Sequence, residues 1–174
     1  MRWLAAAVLL LGACFLAQAD DQASAGRVSD AQLFALLQGL GLDPQKTSDT
    51  LFRTSVRHDH WTLPVHFSLS RSGERIWIYA FLGEIKDPEK APAGRLIQLL
   101  GAHDEIAPAH FYLTDGGKRL HIGIAADNRA VTPPTLRNEL EQLCAAVSAT
   151  ADRWDVGNWT PPGTIEEKKA PDGK

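Results

Sequence analysis

The apolar positions between Ser29 and Gly41 recur at helical spacing. One face of the predicted helix carries Leu33, Phe34, Leu37 and Leu40. Ser29 is a favourable N-cap, and Gln32, three residues later, completes the capping-box pattern. Gly41 can adopt the left-handed conformation that ends a helix. The pattern therefore predicts an amphipathic helix that begins at Ser29 and ends before Gly41.

The hydrophobic pattern then changes to the two-residue period of β-strands. We predict three strands, at 51–58, 62–70 and 75–82. The second alternates most clearly: Leu63, Val65, Phe67 and Leu69 share one face, and His66, Ser68 and Ser70 share the other. Arg71-Ser72-Gly73-Glu74 predicts a hairpin turn. The third strand is apolar on both faces, which is typical of a central strand.

The rest of the chain predicts a helix, a hairpin and a long helix. Gly101 marks the end of the second helix, whose apolar residues are Leu96, Ile97, Leu99 and Leu100. Strands at 110–114 and 119–126 flank the turn Asp115-Gly116-Gly117-Lys118. The third helix begins after Thr132, with proline at its first position. Its apolar stripe consists of Leu136, Leu140, Leu143, Val147 and Trp154.

The element order α-βββ-α-ββ-α predicts an α+β fold, with the helices packed on one face of a single antiparallel sheet. In the strand at 75–82, alternation places Ile76, Ile78, Ala80 and Leu82 toward the helices, and Trp77, Tyr79 and Phe81 on the opposite face. Exposed apolar patches of this kind mark binding sites, so these three aromatic residues are the predicted protein-binding residues. Two alternatives are that residues 156–162, with Trp159, cover the patch, or that the faces are inverted.

The first nineteen residues have the layout of a secretory signal. Arg2 supplies a positive charge, an uncharged run extends from Trp3 to Ala19, and Ala17-Gln18-Ala19 provides small residues for cleavage. The run is shorter than the ~20 residues that a spanning helix needs. We therefore predict export to the periplasm or the exterior, with a mature N-terminus at Asp20. A retained anchor or a buried helix is the alternative interpretation.

A second interpretation of the leader predicts a lipoprotein. Leu11-Gly12-Ala13-Cys14 resembles a bacterial lipobox, in which Cys14 would carry the lipid. The membrane would then be contacted only through the leader or through this lipid, and the protein would be anchored in the envelope. The residues that follow, 15–17, are more apolar than the polar tether expected after a lipobox.

Length and composition indicate one domain with tails. We predict a signal peptide at 1–19, a flexible lead-in at 20–28, the α+β domain at 29–156 and a disordered tail at 157–174. The net charge of the 174 residues is -3 at pH 7, and no basic cluster occurs outside the tail. Nucleic acid is therefore not an expected partner.

Only two cysteines occur, and one of them lies in the leader, which excludes a disulfide framework. Cys144 follows Leu140 by four positions on the apolar stripe of the last helix. We interpret it as a core residue rather than a nucleophile.

His58-Asp59-His60 is the strongest candidate for chemistry. On a strand, His58 and His60 would point to one face and could share a metal ion. Further ligands would have to come from His66, His103, His110 or His121, none of which stands at a diagnostic spacing. The chain also lacks the Gly-x-Ser-x-Gly motif. We therefore predict no catalytic residues, no metal and no cofactor.

The element order over residues 29–154 resembles the YbjN and type III secretion chaperone-like fold. The matching features are Leu33-Phe34-x-x-Leu37-x-x-Leu40-Gly41-Leu42, the three-strand run to Leu82, the helix around Leu96-Ile97-x-Leu99-Leu100, the hairpin through Asp115-Gly116-Gly117 and the long last helix. The resemblance implies a non-catalytic protein-binding function, often in a homodimer. Secretion chaperones act in the cytoplasm, so the export leader conflicts with a role as an effector chaperone.

Two functional hypotheses follow. The first is an exported, regulatory or chaperone-like binding module, which we favour. The second is a small exported metal-dependent or hydrolytic enzyme built around His58, Asp59 and His60. A concave pocket with a further ligand near these residues would favour the enzyme, and a convex turn would count against it.

Overall fold

A computed structural model describes residues 26–159 of the chain. Its strands are β1 (Gln45–Lys46), β2 (Leu51–His58), β3 (Trp61–Leu69), β4 (Arg75–Glu84), β5 (His110–Thr114) and β6 (Arg119–Asp127). Its α-helices are α1 (Asp30–Gly39), α2 (Ala93–Gly101), α3 (His103–Ile106), α4 (Pro133–Ala149) and α5 (Ala151–Trp154). Short 3₁₀ turns cover Pro88–Lys90 and Val156–Asn158.

The six strands form one antiparallel sheet in the order β1-β2-β3-β4-β6-β5. β4 lies in the middle and pairs with β3 and β6. This arrangement confirms the predicted α+β class and the order of the main elements. The two-residue strand β1 was not predicted; it pairs with the start of β2 at the edge of the sheet.

The start of α1 is fixed by the predicted capping box. The Ser29 hydroxyl accepts from the Gln32 backbone N–H at 3.3 Å, and the Gln32 side chain accepts from the Ser29 N–H at 2.8 Å. Gly41 has φ 77°, the left-handed conformation expected after the helix. Leu33 and Leu37 are completely buried.

The inner face of the sheet is buried against the helices. On β4, Ile76, Ile78 and Ala80 are completely buried and share one hydrophobic cluster with Leu33 and Leu37 of α1. Other members of the cluster are Phe52, Val65, Phe67, Ile122, Ile124, Leu136, Leu143 and Val147. Burial of each large aliphatic side chain contributes about 1.5–3 kcal/mol before entropy is counted, so this layer holds the domain together.

The alternation of β4 ends at a register shift between Phe81 and Gly83. Leu82, at the shift, is only half-buried, although it still packs against the edge of the core. A Cβ atom on Gly83 would lie 2.6 Å from a methyl group of Val156. Glycine is therefore required where the C-terminal segment crosses the end of β4.

The apolar stripe of the last helix was predicted to run through Trp154, and here the prediction is wrong in one respect. α4 ends at Ala149, and Trp154 lies on the separate helix α5. Thr150 is completely buried between the two helices, and its hydroxyl donates to the Ala146 carbonyl at 2.7 Å. The Trp154 indole N–H donates to the Val147 carbonyl at 2.7 Å, which returns Trp154 to the core.

Helix α2 buries less of its apolar surface than its sequence suggests. Leu99 is its only buried residue, whereas Ile97 is 67% and Leu100 65% exposed. Both exposed side chains belong to the predicted stripe. This helix therefore presents an apolar face that no described element covers.

Asn128 joins the N-terminal segment to the β3–β4 hairpin. It is completely buried. Its amide group donates to the carbonyls of Val28 (3.0 Å) and Gly73 (2.8 Å) and accepts from the Val28 N–H at 3.2 Å. Its own backbone N–H donates to the Glu74 carbonyl at 2.9 Å.

No helix within residues 26–159 combines the length and the hydropathy needed to cross a lipid bilayer. The leader, including Cys14, residues 20–25 of the predicted lead-in and residues 160–174 of the tail predicted at 157–174 lie outside the described residues. The predictions of cleavage, lipidation and tail disorder therefore stay predictions.

Candidate functional site

The candidate site is the outer face of the sheet, opposite the helices. Trp77, Tyr79 and Phe81 of β4 all lie on this face, as alternation predicted. Trp77 is 38% exposed, and Tyr79 and Phe81 are half-buried.

Histidines from three other strands extend this aromatic row. On β3, His66 stacks on Tyr79, with ring centroids 5.1 Å apart and planes 11° apart. On β6, His121 lies 5.9 Å from Tyr79 and 5.6 Å from Phe81. His110 of β5 lies 6.4 Å from Trp77.

Tyr112 completes the cluster from the edge strand β5. Its ring stacks on His121 at 5.2 Å, with 13° between the planes, and lies 5.8 Å from His110. We call the seven residues the outer aromatic face: His66, Trp77, Tyr79, Phe81, His110, Tyr112 and His121. Adjacent aromatic rings at these separations stabilise one another beyond their burial.

A shallow depression of about 310 Å³ opens in the outer aromatic face. Its lining residues are Ser68, Trp77, Tyr79, His110 and Tyr112. Gly123 lies directly beneath it. A Cβ atom there would lie 3.2 Å from the Tyr79 Cβ, 3.2 Å from Tyr112 Cε1 and 3.3 Å from the Ile78 carbonyl oxygen. The absence of a side chain at Gly123 thus leaves room for both tyrosine side chains above it.

The environment of the outer aromatic face favours uncharged imidazoles. Burial lowers the pKa of His66, and the charges of Arg53 and His121 lower it further. Burial also lowers the pKa of His121, with a further contribution from Arg119. The Nδ1 atoms of both histidines lack a hydrogen-bond partner among residues 26–159. A protonated ring would need to donate from both nitrogens, so the lowered pKa values agree with the geometry.

The tyrosines of the face are held as neutral phenols. Burial raises the pKa of Tyr79 and that of Tyr112, and Tyr79 raises the pKa of Tyr112 further. Neither phenol is therefore prepared for general-base chemistry near neutral pH.

Arginines border the aromatic rings. Arg53 and Arg57 of β2 lie opposite His66 and Thr62 and are exposed. The guanidinium carbon of Arg119 lies 5.7 Å from the centre of the Phe81 ring, within cation–π range. Within the described part of the chain, Arg53, Arg57 and Arg119 make no ion pair shorter than 4.0 Å.

Carboxylates occur only at the margins of this face in the described residues. Asp127 at one end of the central strands pairs with Arg75 at 3.8 Å, and Glu84 lies opposite Arg119 in register at the other end. Asp43 lines a separate depression with Arg53 beside the β1 edge. The centre of the face is thus aromatic and imidazole-rich with a basic border, although the whole chain has a net charge of -3.

The described C-terminal segment does not cover the outer aromatic face. Val156 packs on Gly83, whose register partner Leu120 belongs to the inner face. Trp159 donates its indole N–H to the Arg153 carbonyl at 3.0 Å and packs against the core. The alternative that residues up to Trp159 fold over the aromatic patch is therefore wrong, and residues 160–162 lie outside the described residues.

His58-Asp59-His60 forms the β2–β3 turn. His58 and Trp61 are register partners, and Asp59 has φ 51°, so strand alternation no longer applies to His60. Asp59 and His60 are exposed, and His58 Nε2 lies 3.7 Å from an Asp59 carboxylate oxygen. Residues 26–159 contain no group of three or more His, Cys, Asp or Glu side chains placed to hold a metal ion. His58 also lines a depression of about 280 Å³ with Glu141 and Cys144, whereas Asp59 and His60 lie outside it on the exposed turn. The three residues therefore do not share one pocket, as the enzyme hypothesis required.

Cys144 is buried in α4, as interpreted from its position on the apolar stripe. Burial, with a contribution from Glu141, raises the pKa of Cys144 to about 11. A thiol with this pKa carries little thiolate near neutral pH and is a poor nucleophile. His103, another candidate ligand, instead accepts a hydrogen bond from the Phe111 N–H at 3.0 Å.

Sequence reasoning found the β4 aromatics but not the histidines and tyrosine beside them. Alternation had placed His66 on the polar face of its strand. The positions of His110, Tyr112 and His121 depend on the pairing of β6 with β4, which no local signal reveals.

Comparisons with known proteins identify the fold. No protein-family model matches the chain, and no curated protein matches it significantly. Among solved structures, it is similar to a chain of the heterodimeric ExoU-SpcU complex from the type III secretion system of Pseudomonas aeruginosa: 18% identity, TM-score 0.51, 70% of this chain and 96% of that one.

A chain of the ExsC-ExsE complex shows 14% identity and a TM-score of 0.51, with 78% of this chain and 98% of that chain covered. At these identities the likeness is one of fold alone. The YbjN resemblance stays a prediction. This protein shares the fold of the matched chains of the ExoU-SpcU and ExsC-ExsE complexes.

Proposed function

We propose that this protein is an exported, non-catalytic protein-binding module that holds its partner on the outer aromatic face. The observation that carries the proposal is the composition of that face: seven adjacent rings on the side of the sheet opposite the helices. Solvent-exposed apolar patches rimmed by polar groups commonly mark interaction sites, and Trp, Tyr and Arg are the residues most enriched where binding energy concentrates.

The structural neighbours support this proposal at the level of fold. Both belong to complexes of two different proteins, the ExoU-SpcU heterodimer and the ExsC-ExsE complex. A regulatory or chaperone-like role is the corresponding expectation for this chain.

The test is site-specific cross-linking in the native source. A photoreactive phenylalanine analogue replaces Trp77, and cross-linked partners are recovered from envelope and secreted fractions. The same analogue at Asn138, an exposed position of α4 on the helix layer, is the control. We expect a specific partner from position 77 that is lost in a Trp77→Ser/Tyr79→Ser variant whose circular dichroism matches the parent. Equal capture from both positions, or full retention in the double variant, would refute the assignment of the face.

The double variant could fail to fold, because Tyr79 is half-buried against His66 and Gly123. Trp77→Ser alone changes the most exposed ring of the face and is then used in its place. Loss of capture with an intact fold in this single variant keeps the proposal testable.

A homodimer is a second proposal, supported by a different observation. Ile97 and Leu100 expose most of their surface on α2 and are the largest uncovered aliphatic side chains of the helix layer in the described residues. Sedimentation analysis should show a dimer that Ile97→Ser/Leu100→Ser converts to a monomer. A monomeric parent protein would refute the proposal.

Export follows from the leader and is tested independently by intact mass. A mature chain beginning at Asp20 supports cleavage after Ala19, and a lipid-modified Cys14 would replace this proposal with envelope anchoring. An uncut chain in the cytosol would contradict both.

A further inference from the structure

The charges around the outer aromatic face indicate what kind of segment it binds. We infer that the partner is an acidic protein segment with interspersed aromatic or aliphatic side chains. The inference rests on the proposed function and specifies its partner by chemistry.

The guanidinium groups nearest the rings are positively charged. Arg53 lies opposite His66 in register, and Arg119 lies over the Phe81 ring on the other side of the face. Because neither makes an ion pair shorter than 4.0 Å within the described residues, the two groups favour a partner with complementary negative charge. The overall net charge of -3 makes this basic border a local property of the face rather than of the protein.

The rings of the face line a depression that suits an apolar side chain. The depression between Trp77 and Tyr112 is lined by aromatic and imidazole groups. Ser68 is its one lining residue without a ring. An apolar side chain fits such a depression, and Arg53 and Arg119 elsewhere on the same face favour carboxylates in the residues that flank it. The combination favours alternating acidic and apolar residues in the bound segment.

Two imidazoles of the face can take up protons when a partner binds. His66 and His121 face each other and four further charged or titratable groups: Arg53, Arg119, Tyr79 and Tyr112. The Thr114 hydroxyl forms a hydrogen bond with His121 Nε2. Asp127 and Glu84 lie at the ends of the face. Carboxylates brought by the partner would therefore favour protonation of both imidazoles, and binding should take up protons.

The experiment uses the full mature domain and three synthetic peptides. They share the same Phe and Leu positions and carry Glu, Gln or Lys at the others. Affinities are measured by fluorescence anisotropy at low and high salt, at about pH 7.5 and about pH 5.5, a range in which His titrates and Glu stays largely ionised. We expect the Glu peptide to bind tightest, to weaken with salt, and to bind more tightly at the lower pH.

Matched variants locate the charge effect. Arg53→Gln and Arg119→Gln should each weaken the Glu peptide about two- to fivefold and leave the Gln peptide unchanged. Arg137→Gln makes the same charge change at an exposed position of α4, on the helix side of the sheet, and should have no effect. His66→Gln/His121→Gln should abolish most of the pH dependence.

Several results would overturn the inference. They are equal or tighter binding of the Lys or Gln peptide, no binding of any peptide, or binding of the Glu peptide that survives Trp77→Ser. A protein dimer lost in that variant would assign the face to a second copy, and preferential binding to anionic phospholipid vesicles through Arg53 and Arg119 would assign it to a lipid surface. Continued cross-linking of a neutral or basic partner at position 77 would refute the acidic chemistry while leaving the proposed function intact.

Discussion

Removal of the Asn128 side chain tests whether a single buried amide holds the N-terminal segment to the sheet. Asn128→Ala deletes its two donated bonds, to the Val28 and Gly73 carbonyls, and the bond accepted from the Val28 N–H. Each bond contributes about 0.5–1.5 kcal/mol net, and a buried group left without a partner costs about 1–3 kcal/mol. Val28 and Gly73 are half-buried, so water can replace part of the loss.

We therefore expect the free energy of unfolding to fall by about 3 kcal/mol. For a domain of this size, that corresponds to about 10 °C in Tm. Urea unfolding followed by tryptophan fluorescence and circular dichroism measures the change. Asn128→Asp keeps an acceptor for Val28 but turns a carboxylate toward two carbonyls, so it should destabilise at least as strongly near neutral pH.

Asn158→Ala is the matched control. Its side chain also donates a hydrogen bond, to the Asp155 carboxylate at 2.7 Å, but it is exposed in the C-terminal turn. We expect a change within about 0.5 kcal/mol. A loss below about 1 kcal/mol at Asn128, or losses of equal size at the two sites, would refute the role assigned to burial.

Three further predictions concern the two faces of the sheet. The pKa values of His66 and His121 are lowered in the folded protein, so the unfolded chain binds more protons as the pH falls. The free energy of unfolding should therefore be highest above about pH 6.5 and decline as the pH falls through the folded pKa values. The variant His66→Gln/His121→Gln should flatten this part of the pH–stability profile. Gly123→Ala should cost about 1–2 kcal/mol in urea unfolding and displace the Tyr112 ring in NMR spectra, because its Cβ would crowd Tyr112 Cε1, Tyr79 Cβ and the Ile78 carbonyl oxygen. Unchanged Tyr112 chemical shifts would contradict the crowding. In a Cys14→Ser chain, Cys144 should react with a thiol reagent only as fast as the domain opens, and rapid labelling in native buffer would contradict its burial and its pKa of about 11.

The predictions from sequence succeeded where the determinants are local. The strand at 51–58 matches β2, and the capping box places the start of α1, because both depend on neighbours a few residues apart. Alternation also gave the correct faces of β4, since a strand buried on one side shows its own period. The residues of the candidate site on β4 were therefore available from sequence alone.

The unpredicted features depend on long-range pairing. β1 consists of Gln45 and Lys46, two polar residues with no strand pattern, which are held only by β2. The imidazoles beside Tyr79, those of His66 and His121, come from strands whose pairing partners the sequence pattern did not assign. The break at Thr150 arises from burial of its hydroxyl against the preceding turn rather than from a proline or glycine.

The pairing of β4 with β6 has a consequence for how the chain folds during synthesis. The ladder joins Glu84 to Arg119 and Arg75 to Asp127, so the middle of the sheet closes only after the intervening helices and the β5–β6 hairpin have emerged. Until then β4 is an edge strand that exposes Ile76 and Ile78 along with its unpaired backbone, a state prone to aggregation. A nascent chain arrested before Arg119 would thus depend on other factors for its solubility, whereas the completed chain buries the same strand at its centre.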